Sequence, residues 1–388
     1  MHVSDEERRG RLVARHHLAR TARDAVEAVE GVVAQHSSDP VTPYLSARAR
    51  IEDFEISQLD HDLFQERSLW RMHAMRRTLF VVPTTQVPIF EAGASRDIAR
   101  KERKRLEGWL ADVMPAGDVG PWLDDVSQQV IEAIGRHGVM RTQDLVAEIP
   151  QAGRTITVGS GRWTSETPVS SRLLFLLAME GHLVRARQAG SWRSSQYGWA
   201  TTTSWLGGEF ERLDEDQARV ALAKKYVSTH GPVTMTDLRW WTGWTAARSR
   251  AALAELEVAT VELDSGAVAY VLADDRDDVD PPGPAAAFLP GLDPTPMGWK
   301  ERAWYLGPHG DRLFDSNGNA GPTVWLDGRV VGGWAQRPDG TVVYELLEDV
   351  DANGATAIES NAGELTAWLD GMVVAPRFRS PLERELSQ

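Results

Sequence analysis

Apolar positions follow helical spacing through most of the first 270 residues and then give way to short alternating runs. Leu12, Val13, His16 and Leu18 predict one helix. Ala25, Val26, Ala28, Val29, Val32 and Val33, spaced i, i+3, i+4, i+7, predict a second over residues 21–33. That pattern runs into a polar cluster, Gln35-His36-Ser37-Ser38-Asp39, and Pro40 and Pro43 stop the helix and stiffen the chain beyond it. Small polar residues between a helix end and two prolines make a poor core and a good place for a reaction site. Helices over 45–54 and 59–69 come next. A strand pair over 70–77 and 78–83, ended by Pro83, and a charged helix over 98–113 complete the segment.

The same order then recurs. Helices are predicted over 126–136, over 143–149 with Thr142 as its cap, and over 169–180, followed by a ribbon turning at Ala189-Gly190-Ser191. A third round has helices over 217–229, 236–241 and 245–256, and a hairpin around Asp264-Ser265-Gly266. His137-Gly138 with Asp144-Leu145 reappears as His230-Gly231 with Asp237-Leu238, an internal repeat. The acidic, Pro- and Gly-rich stretch 274–284 reads as a linker. Beyond it, runs over 324–326, 329–334 and 341–347 with Asp327-Gly328 and Asp339-Gly340 turns predict a small antiparallel sheet or barrel. A helix over 361–369 and a partly disordered tail from Val374 close the chain. The expected fold is α+β, mainly α. Three tandem winged-helix units (1–118, 119–208, 209–280) precede a C-terminal antiparallel β-barrel-like domain (281–388).

Composition narrows the chemistry. The 388 residues include no cysteine, and the ten histidines form no HExxH-like pair, so no metal and no cofactor is expected. No apolar run reaches membrane-spanning length, which points to the cytoplasm and away from a membrane. Net charge is −14, but it is uneven: 18 basic against 17 acidic residues over 1–110, 15 against 19 over 111–270, and 9 against 20 over 271–388. The acid sits at the C-terminal end. The helix-and-ribbon units are left close to neutral and rich in arginine, which suits phosphate. Helix-plus-ribbon repeats fit double-stranded DNA better than a small-molecule pocket.

Several motifs spread along the chain resemble the AlkZ-type (YcaQ-like) DNA glycosylases, a bacterial winged-helix family that excises alkylated purines. They are Asp39-Pro40 with Pro43-Tyr44-Leu45, Arg48-Ala49-Arg50, MRRTLFVVP (75–83), FLPGLDPTPMGW (288–299) and LDGRVVGGW (326–334). The resemblance implies three winged helices forming a concave DNA-binding surface, capped by a β-barrel-like domain. It also implies a monomer working at the nucleoid on DNA that carries alkylated purines. Some members unhook interstrand crosslinks in antibiotic producers. The family's catalytic pattern is Gln-x-Gln or Gln-x-Asp just before Asp-Pro. Aligned on Asp39-Pro40, those places hold His36 and Ser38, a departure from the family, with Gln35 one residue earlier.

A cationic N7-alkylguanine is already a good leaving group. The protein must place a water at C1′ and stabilise a sugar that resembles an oxocarbenium ion. His36 would hold that water or take its proton, Ser38 would orient it, and Gln35 and Asp39 are the reserve candidates. Asp39 before proline more often caps a turn, and a histidine at a helix C-terminus is favoured by the dipole without any catalytic role. For DNA contact the candidates are Arg71, Arg76 and Arg77 on the first ribbon, with Arg71 and Arg77 on one face. On the second ribbon they are Arg185 and Arg187, sharing a face, with Arg193 and Trp192 as a groove wedge. Arg248 and Arg250 mark the start of the third unit's longer helix. The alternative to an enzyme is a non-catalytic winged-helix regulator or a protein that sequesters adducts.

Overall fold

The structure, a computed structural model, describes residues 1–159, 161, 164–275 and 285–388; the expected linker lies outside these from residue 276 onward. The chain opens with β1 (His2–Val3) and α1 (Asp5–Arg15). Ser4 sets the start of α1 by accepting the Glu7 N–H, and Asp5, Glu6 and Glu7 place negative charge at the helix N-terminus. The next helix, α2 (Ala25–Glu30), is shorter than its apolar pattern. Gly31 follows it, and Val33 takes a left-handed backbone (φ 65°). The β-branched Val32 and Val33 favour a helix weakly and are buried in the turn instead. Gln35 and His36 are therefore not a helix end. They form β2 (Gln35–His36), so a dipole argument does not apply to His36. Then come α3 (Thr42–Arg48), α4 (Ile56–Phe64), β3 (Leu69–His73) and β4 (Leu79–Pro83). β2 pairs antiparallel with β4, Gln35 opposite Val81 and His36 opposite Phe80.

A short α5 (Val87–Phe90) and a π-helical turn lead into α6 (Arg96–Ala111) and α7 (Ala116–His137). Pro121 and two glycines in its first turns hid the true length of α7 from pattern reading. Next are β5 (Met140–Arg141), α8 (Thr142–Glu148), an unforeseen hairpin of β6 (Thr155–Val158) and β7 (Ser165–Pro168), and α9 (Val169–Met179). The ribbon is β8 (Leu183–Gln188) and β9 (Tyr197–Thr201), with β5 paired to β9. After α10 (Thr202–Leu206), the order returns as α11 (Glu215–His230), α12 (Met235–Thr242), α13 (Ala246–Ala254), β10 (Val258–Leu263) and β11 (Val268–Leu272). Val233 bridges Tyr270 in β11, as β2 pairs with β4 and β5 with β9. β1 adds in parallel to the free side of β10.

The C-terminal part holds β12 (Ala286–Leu289), α14 (Ala303–Leu306), α15 (Gly310–Leu313), β13 (Thr323–Leu326), β14 (Arg329–Gln336) and β15 (Val342–Leu346). α16 (Ala352–Leu369) and α17 (Pro381–Leu386) end it. The four strands form an antiparallel sheet in the order β12-β13-β14-β15 that is open rather than closed into a barrel. α16 lies against β12 and β15, and α17 against β14. The tail expected to be partly disordered is packed: Leu382 in α17 is fully buried and meets β14 at Gly333.

The chain forms two compact units, one of Met1–Leu69, Phe80–Pro83 and Val220–Gln388, the other of Trp70–Leu79 and Thr84–Arg219. The second has a core of Leu106, Leu123, Val126, Val130, Leu173 and Leu177. The first is built around large aromatic side chains, Tyr44, Tyr226, Trp299, Tyr305 and Trp325, all fully buried. His16 and His230 sit among them with ring centroids 4.9 Å apart. Burial, then neighbouring positive charge, holds His16 well below its ordinary value and His230 at about 3. In the other unit, burial and Arg185 hold His73 at about 3. Such histidines stay neutral when folded but take a proton once unfolded. Stability is therefore complete above the unfolded value near 6.5 and falls by about 1.4 kcal/mol per pH unit per histidine as pH drops below it. Urea unfolding should shift to lower denaturant between about pH 7 and pH 5; a constant midpoint would contradict this account.

Candidate active site

The loop after β2 is held from several sides. The Gln35 side chain is 3% exposed; its Nε2 donates to the His36 carbonyl (3.3 Å), and its Oε1 accepts from Ser46 Oγ (2.6 Å). Register with β4 puts His36 across from Phe80, and their ring centroids are 4.7 Å apart. Ser37 is buried and Ser38 half-buried. Asp39 engages both carboxylate oxygens: Oδ1 accepts the Val41 N–H (3.3 Å) and Oδ2 the Arg377 N–H (2.7 Å). Burial raises the Asp39 carboxyl above its ordinary value against the pull of those bonds and of the Arg377 charge. Thr42 Oγ1 donates to the Gly291 carbonyl (2.8 Å), tying the start of α3 to the C-terminal part.

Behind the loop lies a buried polar chain. Arg50 and Asp293, 243 residues apart, form a two-point ion pair: Nη2 to Oδ1 at 2.8 Å and Nη1 to Oδ2 at 2.9 Å. Both side chains are at most 1% exposed. Arg50 Nη1 also donates to Ser46 Oγ (2.6 Å), and Ser46 Oγ lies 2.6 Å from Asp293 Oδ2. With one proton, Ser46 serves Gln35 and Asp293 alternately. Arg50 Nη2 donates to Thr295 Oγ1 (2.8 Å), which lies 2.9 Å from His16 Nδ1. Gln35 is thus the front end of a chain that reaches the aromatic core. The motifs around Arg50 and Asp293, far apart in sequence, meet to make it.

The DNA-contact candidates divide. Arg71 is 2% exposed, donates to Gln188 Oε1 (2.9 Å) and packs against Tyr197. Arg185 is half-buried, lies 3.2 Å from His73 Nε2 and packs against Tyr197 and Trp199. Both side chains are engaged within the ribbon, and Arg71 is withdrawn from solvent while Arg185 stays partly exposed. Arg76 and Arg77 occupy a turn, not a strand, so the expected alternation does not apply. Both are left-handed (φ 55° and 67°), a conformation costing about 1 kcal/mol per non-glycine residue. Arg76 is half-buried; Arg77 is exposed and pairs with Glu102 at 3.2 Å. The pairing register with β9 shifts between Arg185 and Gln188, and Arg187 is exposed. Arg193 is exposed, whereas Trp192 is 8% exposed and does not project as a wedge. Arg248 is half-buried and Arg250 exposed on α13, whose N-cap is Thr245. Trp241 and Trp244 are core residues, and Trp240 lies under Arg302.

Sequence reading missed Ser46, Asp293 and Arg377. Arg50 and Asp293 both fell inside motifs noted for other reasons, but nothing in one sequence says that they touch. Arg377 stood in a segment expected to lack order.

A family model described as "DNA glycosylase AlkZ-like" matches residues 29–368. The structure of Streptomyces sahachiroi DNA glycosylase AlkZ superposes with a TM-score of 0.72 at 20% identity, over 97% of this chain and 99% of that one. At that identity the likeness speaks for the fold. No curated protein matches the chain at a significant level.

Proposed function

The chain belongs to the AlkZ-like family of DNA glycosylases, hydrolases of the N-glycosyl bond, and from that premise we propose that it removes bulky or crosslinking N7-alkylpurine adducts from double-stranded DNA. The product is an abasic site, since no lysine lies in residues 32–44 to attack the sugar. The three helix-and-ribbon rounds act as winged helices, and exposed Arg77, Arg187, Arg193 and Arg250 supply phosphate contacts. The protein works as a monomer in self-resistance to a DNA-alkylating antibiotic.

One observation carries this reading. Gln35 and Asp39 are committed to holding the loop, so the chemistry falls to His36 and Ser38, the two positions that align with the family's catalytic pair. His36 binds the water that attacks C1′ and accepts its proton as the C–N bond breaks; the purine leaves as a neutral base. Ser38 orients the same water, and the low-polarity surroundings set by Phe80 limit competing solvent. The same two residues also motivate a second reading, a protein that binds adducts without cleaving them, because neither is the glutamine the family uses.

A duplex carrying N7-alkylguanine decides between them. Free base and alkali-sensitive sites together support the glycosylase. Adduct-selective binding with no base release supports sequestration, and the absence of both sinks both readings.

A further inference from the structure

Resting on the assignment of residues 35–39 as the reaction site, we infer that Arg377, brought in by the C-terminal segment, binds a backbone phosphate of the strand under repair. Its N–H donates to Asp39 Oδ2 (2.7 Å), and its Nη1 lies 3.5 Å from the Ser38 carbonyl. The guanidinium therefore stands one peptide from a candidate catalytic side chain. A nucleotide whose C1′ is attacked beside Ser38 carries its own phosphates within reach of that point. Guanidinium geometry suits a phosphate's paired oxygens.

The placement is built. Upstream, the Val374 N–H donates to Gln336 Oε1 (2.8 Å), and Gln336 Nε2 donates to the Met372 carbonyl (2.9 Å). Downstream, Ser380 caps α17, whose Leu382 is wholly buried. Arg377 is thus presented from a segment fixed at both ends. Arg48 and Arg50, at and just after the end of α3, are engaged elsewhere: Arg48 is buried against Asn361 and Glu364, and Arg50 is buried against Asp293. The Arg377 side chain is exposed and makes no ion pair among the described residues. It also lies in the most acidic part of the chain, where 20 acidic residues face 9 basic ones over 271–388 and DNA would otherwise be repelled. The segment falls beyond the residues matched by the family model.

The test uses the full chain, Arg377→Gln and Arg377→Lys, and a duplex with one N7-methylguanine, measuring affinity over a salt series and single-turnover base release. Arg377→Gln should bind about tenfold more weakly, the scale of one charged hydrogen-bond site. Its slope of log affinity against log salt should be shallower by about 0.9, the loss of one phosphate contact. Arg377→Lys should keep the slope. Thermal stability should not move in either variant, because the N–H to Asp39 remains. An unchanged affinity and slope in Arg377→Gln overturns the inference, as does an equal loss of slope in Arg377→Lys. If the wild type releases no base, the glycosylase reading fails while the salt series still decides Arg377.

Discussion

His36→Ala is expected to slow single-turnover base release by about 10²–10⁴-fold, the contribution of a well-placed acid–base side chain. Affinity for the duplex should change far less. The substitution leaves β2 paired with β4, because that pairing runs through backbone groups opposite Val81 and Phe80. It removes the ring contact with Phe80, which costs about 1 kcal/mol of stability. A loss of rate with a nearly unchanged unfolding midpoint is thus the signature of chemistry. Ser38→Ala should slow release less, because it orients the water without taking the proton. His36→Gln separates two roles: an amide can hold a water but not accept its proton, so retained activity would make His36 a positioning group. Full activity in both His36→Ala and Ser38→Ala would sink the proposed mechanism.

Asp293→Ala is expected to cost about 3–5 kcal/mol of stability, the cost of leaving a buried charge without its partner. Arg50 would lose its two-point ion pair at a position 1% exposed, where water cannot replace the carboxylate. The damage should spread forward through Ser46 to Gln35, and so loosen β2. Exchanging both residues at once, Arg50→Met with Asp293→Leu, should recover part of the loss, because no unpaired charge remains. Burial acts to raise the Asp293 carboxyl. The Arg50 charge and the bonds from Arg50, Ser46 and the Thr295 N–H outweigh it and hold the group below its ordinary value. A carboxyl held low adds stability that is complete above its unfolded value, about 4, and lost as pH falls through the folded value. Asp293→Ala should therefore flatten the acid limb of the stability profile below about pH 4. A variant within 1 kcal/mol of wild type in urea unfolding would contradict the network's importance.

Much of the secondary structure could be read in the sequence, because amphipathic spacing and Gly, Pro and Asp-Gly punctuation act locally. The apolar run at 169–179 and the hairpin around Asp264-Ser265-Gly266 are of that kind. What stayed hidden depends on partners far along the chain. Gln35 and His36 look like a helix end until β4 arrives to pair with them. The side-chain partners of Arg71 and Arg185, namely Gln188, His73 and Tyr197, likewise cannot be read from the sequence. α16 is twice as long as its pattern suggests, since Gly354 and several small residues dilute the apolar signal of its first half. At the site, the polar stretch 35–39 closed by Pro40 could be picked out from sequence. The hydrogen bonding of Gln35 could not, because Ser46, Arg50 and Asp293 had to be brought together first.

The discontinuous make-up of the first unit bears on the order in which the protein is made. Residues 84–219 leave the ribosome as nearly all of one compact unit and can bury their core at once. Residues 35–39 emerge much earlier but wait for Asp293 and Arg377, which follow roughly 250 and 340 residues later. Contacts of such long span are slow to close. Pulse-labelled hydrogen exchange during refolding should protect α6, α7 and α9 before β2 and α3. The candidate reaction loop, synthesised well before Asp293 and Arg377, would then be among the last parts of its unit to take shape, so a nascent chain holds no formed site until those residues have emerged.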